Sequence, residues 1–292
     1  MNNIFKGLGI ALITPFNEKM EVDYKALGRL IERQVKEDTD FLCILATTAE
    51  TPCLSAEEKK DVRRFIIETV AGRVPLLLGC GGNHTSKVVD DILSDDFTGI
   101  DGLLSVCPYY NKPSQEGLYQ HFRAIAAATR LPIVLYNVPG RTGVNMTAET
   151  TLRLANDCDN IVGIKEASGR LDQIEKICKE RPAGFGVLSG DDGITADVIR
   201  MGGEGVISVL GNSLTKEFGD MVHLAMSGDS DKAAEMQKSF TEICRLLFVD
   251  GNPAGIKAML TIQGRIKNQL RLPLVPATTD TFEAIQALMD SK

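Results

Sequence analysis

The sequence predicts an α/β protein that forms a (β/α)8 TIM barrel with a small C-terminal three-helix appendage. Eight short apolar runs alternate with helical periodicity over about 220 residues, and such a barrel requires eight strand–helix units. The runs are almost continuously apolar, as is typical of parallel strands that are covered on both faces. Past residue 226 the strand-like runs stop, and we therefore expect a barrel domain at 1–226 and a helical domain at 227–292.

The eight predicted strands are spaced evenly along the chain. They cover residues 8–16, 41–48, 75–81, 102–110, 132–138, 161–167, 185–190 and 205–210. None of them is followed by a Gly-x-Gly-x-x-Gly turn, so a doubly wound sheet, the alternative arrangement of these elements, is less favoured than a barrel.

Helix start and stop signals occupy the segments between the strands. Ser55-Ala56-Glu57-Glu58 has the S-x-x-E form of a capping box, apolar residues recur at helical spacing from Val62 to Val70, and Gly72 follows as a stop. Beyond the barrel, helices are predicted at 230–248, 252–266 and 279–292. This appendage is too short for us to expect an independent core.

The composition is that of an ordinary globular protein. Hydrophobic residues make up 43% and charged residues 24% of the chain, and the formal net charge is −7. An acidic chain without basic runs has no electrostatic reason to bind nucleic acid or an anionic membrane surface. No apolar run is long enough to span a bilayer, and "MNNIFKGLGIALITPF" lacks a secretory cleavage pattern. We therefore expect a cytoplasmic protein without nucleic-acid or membrane partners.

Cysteine and histidine spacing indicates neither a metal site nor a disulfide framework. The seven cysteines are scattered without a Cys-x-x-Cys pair, and His84, His121 and His223 lie far apart. Within apolar runs a cysteine acts as a small hydrophobic residue. We expect reduced thiols, no metal ion and no cofactor.

The segment "IVGIKEASG" at 161–169 places Lys165 at the end of an apolar run that is predicted to be a buried strand. Burial of an ammonium group is unfavourable unless the group is paired or loses its proton. In the structural interpretation, Lys165 forms an ion pair, for example with its neighbour Glu166, or its head reaches water. In the functional interpretation, an apolar wall keeps the amine partly neutral, so that it attacks a carbonyl carbon.

Several polar side chains are predicted to share the rim of the barrel with Lys165, because barrel enzymes carry their chemistry at the C-terminal ends of the strands. They are Thr47, Thr48, Tyr109, Tyr110, Tyr136, Asp191 and, in a following loop, Arg141. A tyrosine hydroxyl transfers the protons that carbinolamine formation and dehydration require, and arginine binds a carboxylate through two hydrogen bonds. Each residue alone also has a structural explanation, such as a packed tyrosine ring or a β-forming threonine. Together they favour Schiff-base catalysis.

Five motifs resemble the dihydrodipicolinate synthase family, also called the 4-hydroxy-tetrahydrodipicolinate synthase family. They are "PYYNKPSQEGLYQHF" (108–122), "LYNVPGRTG" (135–143), "GIKEASG" (163–169), "LSGDD" (188–192) and "GGEGVISV" (202–209). The similarity extends from Phe5 through the C-terminal helices. The strand-end lysine is also found in the wider superfamily of pyruvate-dependent aldolases, which includes N-acetylneuraminate lyase, whereas the arginine and the paired tyrosines are more specific to the synthase.

The resemblance implies a lyase that condenses pyruvate with L-aspartate 4-semialdehyde, in the first committed step of diaminopimelate and lysine biosynthesis. Lys165 matches the family's Schiff-base lysine, which forms a covalent imine with pyruvate. Tyr136, Thr47 and Tyr110 match a proton-relay triad. In the family the residue at the position of Tyr110 reaches the site across a dimer interface, which implies an obligate dimer that usually pairs into a homotetramer.

The resemblance also implies the substrate contacts. Thr48 matches a residue that contacts the pyruvate carboxylate. Arg141 matches the residue that receives the carboxylate of the semialdehyde and steadies the proton relay. Ile207, within "GGEGVISV", is a further predicted substrate-binding residue.

One departure from the family pattern affects the predicted active site. The family usually reads Gly-Thr-Thr-Gly-Glu where this chain has Ala46-Thr47-Thr48-Ala49-Glu50. Alanine adds a methyl group and resists positive φ, so the local backbone is open to change. Because both threonines are present, we expect altered packing rather than lost activity.

A second departure concerns feedback inhibition by lysine. Regulated family members bind lysine in an interface cleft that includes an acid and two histidines. The corresponding positions here are Lys87, Ala56 and Lys59, whereas Asn83 and Tyr109 are retained. A lysine in place of the acid brings like charges together, so we expect weak or absent inhibition by lysine.

Two other functions stay open on the sequence alone. A related aldolase would act on a sialic acid or a keto-deoxy sugar acid, but such substrates present hydroxyl groups where the semialdehyde presents a carboxylate to Arg141. A catalytically inactive barrel would serve as a metabolite sensor or scaffold. The presence of Lys165, Tyr136 and Thr47, together with Tyr110, argues against that second alternative.

Overall fold

The computed structural model describes residues 3–291 and confirms the predicted barrel. Eight parallel strands pair in sequence order, and β1 pairs with β8 to close the sheet. The strands are β1 (Gly7–Ala11), β2 (Phe41–Ile44), β3 (Leu76–Gly79), β4 (Gly102–Val106), β5 (Ile133–Asn137), β6 (Ile161–Glu166), β7 (Gly186–Ser189) and β8 (Gly205–Ser208).

Helices surround the barrel and continue beyond it. In the barrel they are α1 (Tyr24–Lys36), α2 (Ala56–Val70), α3 (Thr85–Ser94), α4 (Gln115–Ala127), α5 (Pro139–Thr142), α6 (Ala148–Asp157), α7 (Leu171–Glu180), α8 (Thr195–Arg200) and α9 (Thr215–Met226). The C-terminal helices are α10 (Ser230–Ser239), α11 (Thr241–Val249), α12 (Ala254–Ile262) and α13 (Thr279–Asp290). None of the helices within residues 3–291 is long and apolar enough to cross a membrane.

Side chains of each strand alternate between two hydrophobic cores. Phe41 and Cys43 belong to a core inside the barrel, whereas Leu42 and Ile44 belong to the layer between the strands and the helices. This alternation follows from the two-residue period of a β-strand. Both faces of the strands are therefore buried, which explains why their sequences read as continuous apolar runs.

Aromatic rings fill the N-terminal end of the barrel. The rings of Phe5 and Phe41 meet edge to face, with their centroids 5.4 Å apart. Gly9 makes room for this packing, because a Cβ atom at that position would lie 2.2 Å from Cζ of Phe41. With this end packed, an opening remains at the C-terminal ends of the strands.

Several predicted strands extend too far at their C-terminal ends, and the first of them, predicted to reach residue 16, ends at Ala11 as β1. Strand β2 ends at Ile44, Leu45 takes a left-handed φ of 49°, and the two threonines lie in a 3-10 turn at Thr47–Ala49. Strand β4 ends at Val106, so Tyr109 and Tyr110 lie in the loop that follows it. The apolar runs are longer than the strands because they continue into loop residues that are buried around the mouth of the barrel.

The helix predicted at 230–248 is also wrong, because it is two helices. Phe240 separates α10 from α11 and is buried against Phe218, with the ring centroids 5.3 Å apart. The turn at Phe240 allows α10 to pack on α8 and α9 while α11 packs on α12 and α13. The predicted domain boundary near residue 226 stays a prediction.

Candidate active site

A cavity of about 400 Å³ lies at the C-terminal ends of the strands. Its lining includes most of the side chains that the sequence predicts for the site, namely Thr47, Thr48, Tyr136, Arg141, Lys165 and Asp191. They come from β5, β6 and the loops that follow β2, β5 and β7. The closed barrel thus brings together groups that are up to 144 positions apart in the chain.

Lys165 lies at the edge of this cavity with only 5% of its surface exposed. On strand β6 it pairs in register with Tyr136 on one side and Leu188 on the other. Its Nζ atom lies 4.4 Å from the centroid of the Tyr136 ring. Lys165 forms no ion pair with any residue in the described part of the chain, so the interpretation as an ion-paired structural lysine is wrong for this structure.

The carboxylate of Glu166 points to the opposite side of strand β6. It is fully buried and accepts hydrogen bonds from Nδ2 of Asn137 at 3.1 Å, from the backbone N–H of Ser168 at 2.8 Å and from Nε2 of Gln173 at 2.9 Å. Burial raises the pKa of Glu166, although these hydrogen bonds oppose the increase. The Glu166 carboxylate, which the structural interpretation paired with Lys165, is therefore hydrogen-bonded to amide donors instead.

The turn that contains Thr47 and Thr48 forms without glycine at its ends. Ala46 has φ −103° and ψ −159°, which any residue adopts, and Ala49 is not among the residues with positive φ. The left-handed conformations fall on Leu45 (φ 49°) and Glu50 (φ 54°) instead. Replacement of the family glycines by alanine is thus compatible with the turn, and the side chain of Thr48 is buried at the cavity.

Asn252 connects two of the predicted substrate-binding residues, although the sequence does not predict it as a site residue. Its Nδ2 group donates to Oγ1 of Thr48 at 3.0 Å, and its carbonyl oxygen accepts from Nη2 of Arg141 at 3.3 Å. Its Oδ1 atom is buried and has no partner among the described residues. The only sequence signal was an Asn-Pro step before a helix, which reads as an ordinary helix start.

Arg141 lies on the short helix α5 at the mouth of the cavity. Arg141 is an exposed residue, and its guanidinium, which donates to the carbonyl oxygen of Asn252, forms no ion pair within residues 3–291. A guanidinium in this position is free to bind a carboxylate of an incoming molecule. The role in carboxylate binding that the sequence predicts for Arg141 stays a prediction.

Two predicted site residues lie away from the cavity in the single chain. Tyr110 is 85% exposed, has a left-handed φ of 76° and does not line the cavity. Ile207 is buried within the barrel core, where it pairs in register with Gly9, and it does not line the cavity either. The structure therefore does not bring these two side chains together with Lys165.

A second cavity of about 530 Å³ adjoins the first. Both are lined by Thr47, Tyr136, Arg141 and Asn252, and the second extends outwards to Lys59 and Tyr109. Gly79 lines this second cavity. A side chain at this position would clash with the backbone, because a Cβ atom would lie 2.2 Å from the carbonyl oxygen of Leu45.

The positions predicted to replace a lysine-binding acid and histidines lie at or near this second cavity. Lys59 lines it, and Asn83 donates from Nδ2 to the carbonyl oxygen of Tyr109 at 3.3 Å. Lys87 is exposed and pairs with Asp91, with 2.6 Å between Nζ and Oδ1. Ala56 begins helix α2.

The chemistry that this arrangement supports is attack of an amine on a carbonyl group. Lys165 supplies a nucleophile without a counter-ion, and the phenol of Tyr136 and the hydroxyl of Thr47 lie in the same cavity as proton donors and acceptors. Within residues 3–291 no three His, Cys, Asp or Glu side chains form a group that could hold a metal ion.

Comparisons with known proteins cover nearly the whole chain. The family model described as the dihydrodipicolinate synthetase family matches residues 4–292. The 4-hydroxy-tetrahydrodipicolinate synthase of Parabacteroides distasonis is 58% identical over 284 residues, which cover 97% of this chain and 96% of the relative. That of Phocaeicola vulgatus is 59% identical over 285 residues, which cover 98% and 96%.

Among solved structures, the crystal structure of dihydrodipicolinate synthase from Thermotoga maritima superimposes with a TM-score of 0.96 at 39% identity. The match covers 99% of both chains. Fold and sequence similarity thus agree over nearly the whole length of the chain. The chain belongs to the dihydrodipicolinate synthetase family.

Proposed function

We propose that this protein is a lyase that condenses pyruvate with L-aspartate 4-semialdehyde to give 4-hydroxy-tetrahydrodipicolinate. The observation that carries the proposal is the buried amine of Lys165, which has no counter-ion in the described chain and opens onto a cavity that it shares with Tyr136, Thr47 and Arg141. The reaction is the first committed step of diaminopimelate and lysine biosynthesis. We place it in the cytoplasm, with no cofactor other than the covalent pyruvate imine.

Lys165 starts the reaction as the nucleophile. Its Nζ atom attacks the ketone carbon of pyruvate, and loss of water gives an iminium ion on the lysine. The iminium draws electrons from the adjacent methyl group, which loses a proton to become an enamine. The enamine carbon adds to the aldehyde carbon of the second substrate, whose own amine then displaces Lys165 and closes the ring.

Tyr136 and Thr47 move the protons that these steps require. Carbinolamine formation and dehydration each transfer a proton to or from an oxygen atom, and a positioned hydroxyl group lowers the barrier for such a transfer. Tyr136 is adjacent to Lys165 across the sheet, and Thr47 lines the same cavity. We assign Tyr110 as the third member of the relay, contributed by a partner subunit of a homotetramer, since its side chain is exposed in the single chain.

The two carboxylates of the substrates have separate binding groups in this proposal. Thr48 binds the carboxylate of pyruvate, whereas Ile207 does not line the cavity, and its assignment as a substrate-binding residue rests on the family resemblance. Arg141 binds the carboxylate of the semialdehyde, because its guanidinium at the mouth has no acidic partner among the described residues.

The test of this function is a comparison of second substrates. Purified protein with pyruvate is expected to consume L-aspartate 4-semialdehyde and to show no comparable turnover with sialic acid or keto-deoxy sugar acids. Arg141→Leu is expected to raise KM for the semialdehyde without a similar change in KM for pyruvate. Preference for a sugar acid would contradict the proposal and favour the related aldolase instead.

We further propose that lysine inhibits this protein weakly or not at all. Lys59 lines the second cavity, and Lys87 on helix α3, which pairs with Asp91, stands where regulated family members have an acid, so neither position offers a carboxylate to the ammonium group of lysine. Initial rates are expected to stay unchanged up to millimolar lysine. Half-inhibition at micromolar lysine would contradict this expectation.

A further inference from the structure

A buried ion pair lies beneath the turn that carries the two threonines. The side chains of Glu50 and Lys257 contact each other, and neither has any exposed surface. Transfer of two charges from water to the interior is unfavourable, and an apolar pair of similar volume is often at least as stable. The presence of this ion pair therefore suggests a contribution other than stability.

Both partners are also held by the C-terminal part of the chain. The second carboxylate oxygen of Glu50 accepts from the backbone N–H of Arg271 at 3.0 Å, and Nζ of Lys257 donates to the carbonyl oxygen of Gln269 at 3.0 Å. Nζ of Lys257 lies 4.3 Å from the centroid of the Phe16 ring. The Glu50 carboxylate thus connects the loop after β2 to helix α12 and to the segment that follows it.

Glu50 determines the geometry of the threonine turn because it is the residue that ends it. Its backbone N–H donates to the carbonyl oxygen of Thr47 at 3.1 Å, and its own φ of 54° is left-handed. This conformation is unfavourable for a residue with a side chain and persists only where the surroundings fix it. The contact with Lys257 supplies such a constraint.

The start of helix α12 holds the same turn at a second point. Asn252, two residues before the helix, donates to Oγ1 of Thr48 at 3.0 Å, and Lys257 within the helix contacts Glu50. These two contacts, one at Thr48 and one at Glu50, lie on either side of Ala49 and fix both the position and the rotation of the turn. A loop held in this way presents its hydroxyl groups to the cavity in one orientation.

We propose that Glu50 and Lys257 are positioning residues, which hold the Thr47–Thr48 turn in the orientation required for imine formation between Lys165 and pyruvate. Neither residue contacts the substrate in this account. The inference rests on the proposed function and extends it from the cavity to the C-terminal helices, whose contribution the family resemblance leaves unassigned.

The experiment replaces the ion pair by uncharged side chains of similar size. The variants are Glu50→Gln, Lys257→Met and the double variant, and Lys267→Met serves as the control because it removes an exposed ion pair with Glu18 from the same part of the chain. The measurements are the thermal midpoint, the rate at which borohydride traps pyruvate on the protein, and KM for each substrate.

We expect the double variant to keep a thermal midpoint close to that of the parent protein and to form the pyruvate adduct of the order of 100-fold more slowly. KM for pyruvate should rise while KM for the semialdehyde stays unchanged. This readout separates positioning from stability, because a smaller folded fraction alone would alter neither KM. The control should match the parent in every measurement.

Adduct formation by the folded double variant at the parent rate would overturn the inference. If the double variant does not fold, Glu50→Gln provides the same test, because its amide keeps the volume but faces two N–H donors and holds the turn less well. Absence of an adduct on the parent protein itself would contradict the proposed function rather than the positioning role.

Discussion

Lys165 and Glu166 are neighbours in the chain but point to opposite sides of strand β6. Lys165 faces the cavity at the barrel mouth, whereas Glu166 lies between the strand and helix α7, where it accepts from Gln173. The two-residue period of a strand enforces this separation. At the residue scale, a carboxylate next to a lysine in the sequence therefore says little about whether the two form an ion pair.

His121 illustrates a buried titratable residue outside the site. It is 4% exposed, and its Nδ1 atom lies 2.9 Å from Oγ1 of Thr85. Burial lowers the pKa of His121 to about 4, below its ordinary value of 6.5. The unfolded chain therefore binds a proton more readily than the folded chain between these two values, and the free energy of unfolding falls as the pH falls through that range.

We predict that the parent protein and the His121→Asn variant differ less in free energy of unfolding at acid pH than at neutral pH. Between pH 7 and pH 4.5 the difference in free energy of unfolding should shrink by the order of 2 kcal/mol, because only the parent has a histidine to protonate. The measurement is urea unfolding at several pH values. A constant difference across that range would contradict the prediction.

His223 provides a contrasting control. Its ring lies 2.7 Å from the carboxylate of Asp40, which raises the pKa of His223. The stabilising contact is therefore present at low pH and is lost as the pH rises through the raised pKa. The parent protein and the His223→Asn variant should therefore differ more in free energy of unfolding at acid pH than at neutral pH. This trend is opposite to the one expected for His121→Asn.

Helix α2 shows an element that local sequence determines well. Oγ of Ser55 accepts from the backbone N–H of Glu58 at 3.1 Å, and the Glu58 carboxylate accepts from the backbone N–H of Ser55 at 2.9 Å. The predicted capping box is thus confirmed, and the helix ends at Val70, just before Gly72. Capping signals act within one turn, so a sequence of four residues suffices to recognise them.

We predict that Ser55→Ala lowers the free energy of unfolding by about 1 kcal/mol, because one N–H group at the helix start loses its acceptor. Ser55→Thr keeps the hydroxyl oxygen and should differ from the parent by much less. Thermal midpoints of the three proteins measure the effect. Equal losses in the two variants would show that the cap contributes nothing.

Strand ends and the break at Phe240 show where local sequence is insufficient. Leu45 continues the apolar run of β2, but the strand pairing stops at Ile44. The chain then turns, and Thr47 lies at the mouth of the barrel. Likewise, the periodicity of 230–248 is helical throughout, but α10 and α11 are separated at Phe240, which is buried against Phe218. Both outcomes depend on tertiary contacts that a pattern along the chain does not contain.

At the scale of the whole molecule, barrel closure decides which residues meet. The strand-end rule placed Lys165, Tyr136 and Thr47 on one rim, and the structure brings all three to one cavity. Asn252 could not be predicted in this way, because it comes from the C-terminal helices, whose docking onto the rim follows from no barrel rule. The ion pair between Glu50 and Lys257 was missed for the same reason.

The proposed contribution of Tyr110 from a partner subunit predicts complementation between inactive variants. Lys165→Ala and Tyr110→Phe should each be nearly inactive, but mixing them with subunit exchange should restore about a quarter of the parent activity. Half of the randomly formed dimers are mixed, and one of their two sites then has both groups intact.

The control for complementation is a mixture of Lys165→Ala with Tyr136→Phe. These two residues belong to the same site of the same chain, so mixed dimers contain no intact site and activity should not return. Activity in the control mixture, or none in the test mixture after verified exchange, would contradict the assignment of Tyr110 to a neighbouring subunit.

Covalent capture of pyruvate on Lys165 tests the account most directly. The protein is incubated with pyruvate and borohydride, and mass spectrometry of its peptides locates the reduced adduct. The account predicts one reduced pyruvyl group on Lys165, and none on a Lys165→Ala protein, which should also lack turnover. An adduct on a different lysine, or turnover of pyruvate and the semialdehyde by Lys165→Ala at the parent rate, would contradict it.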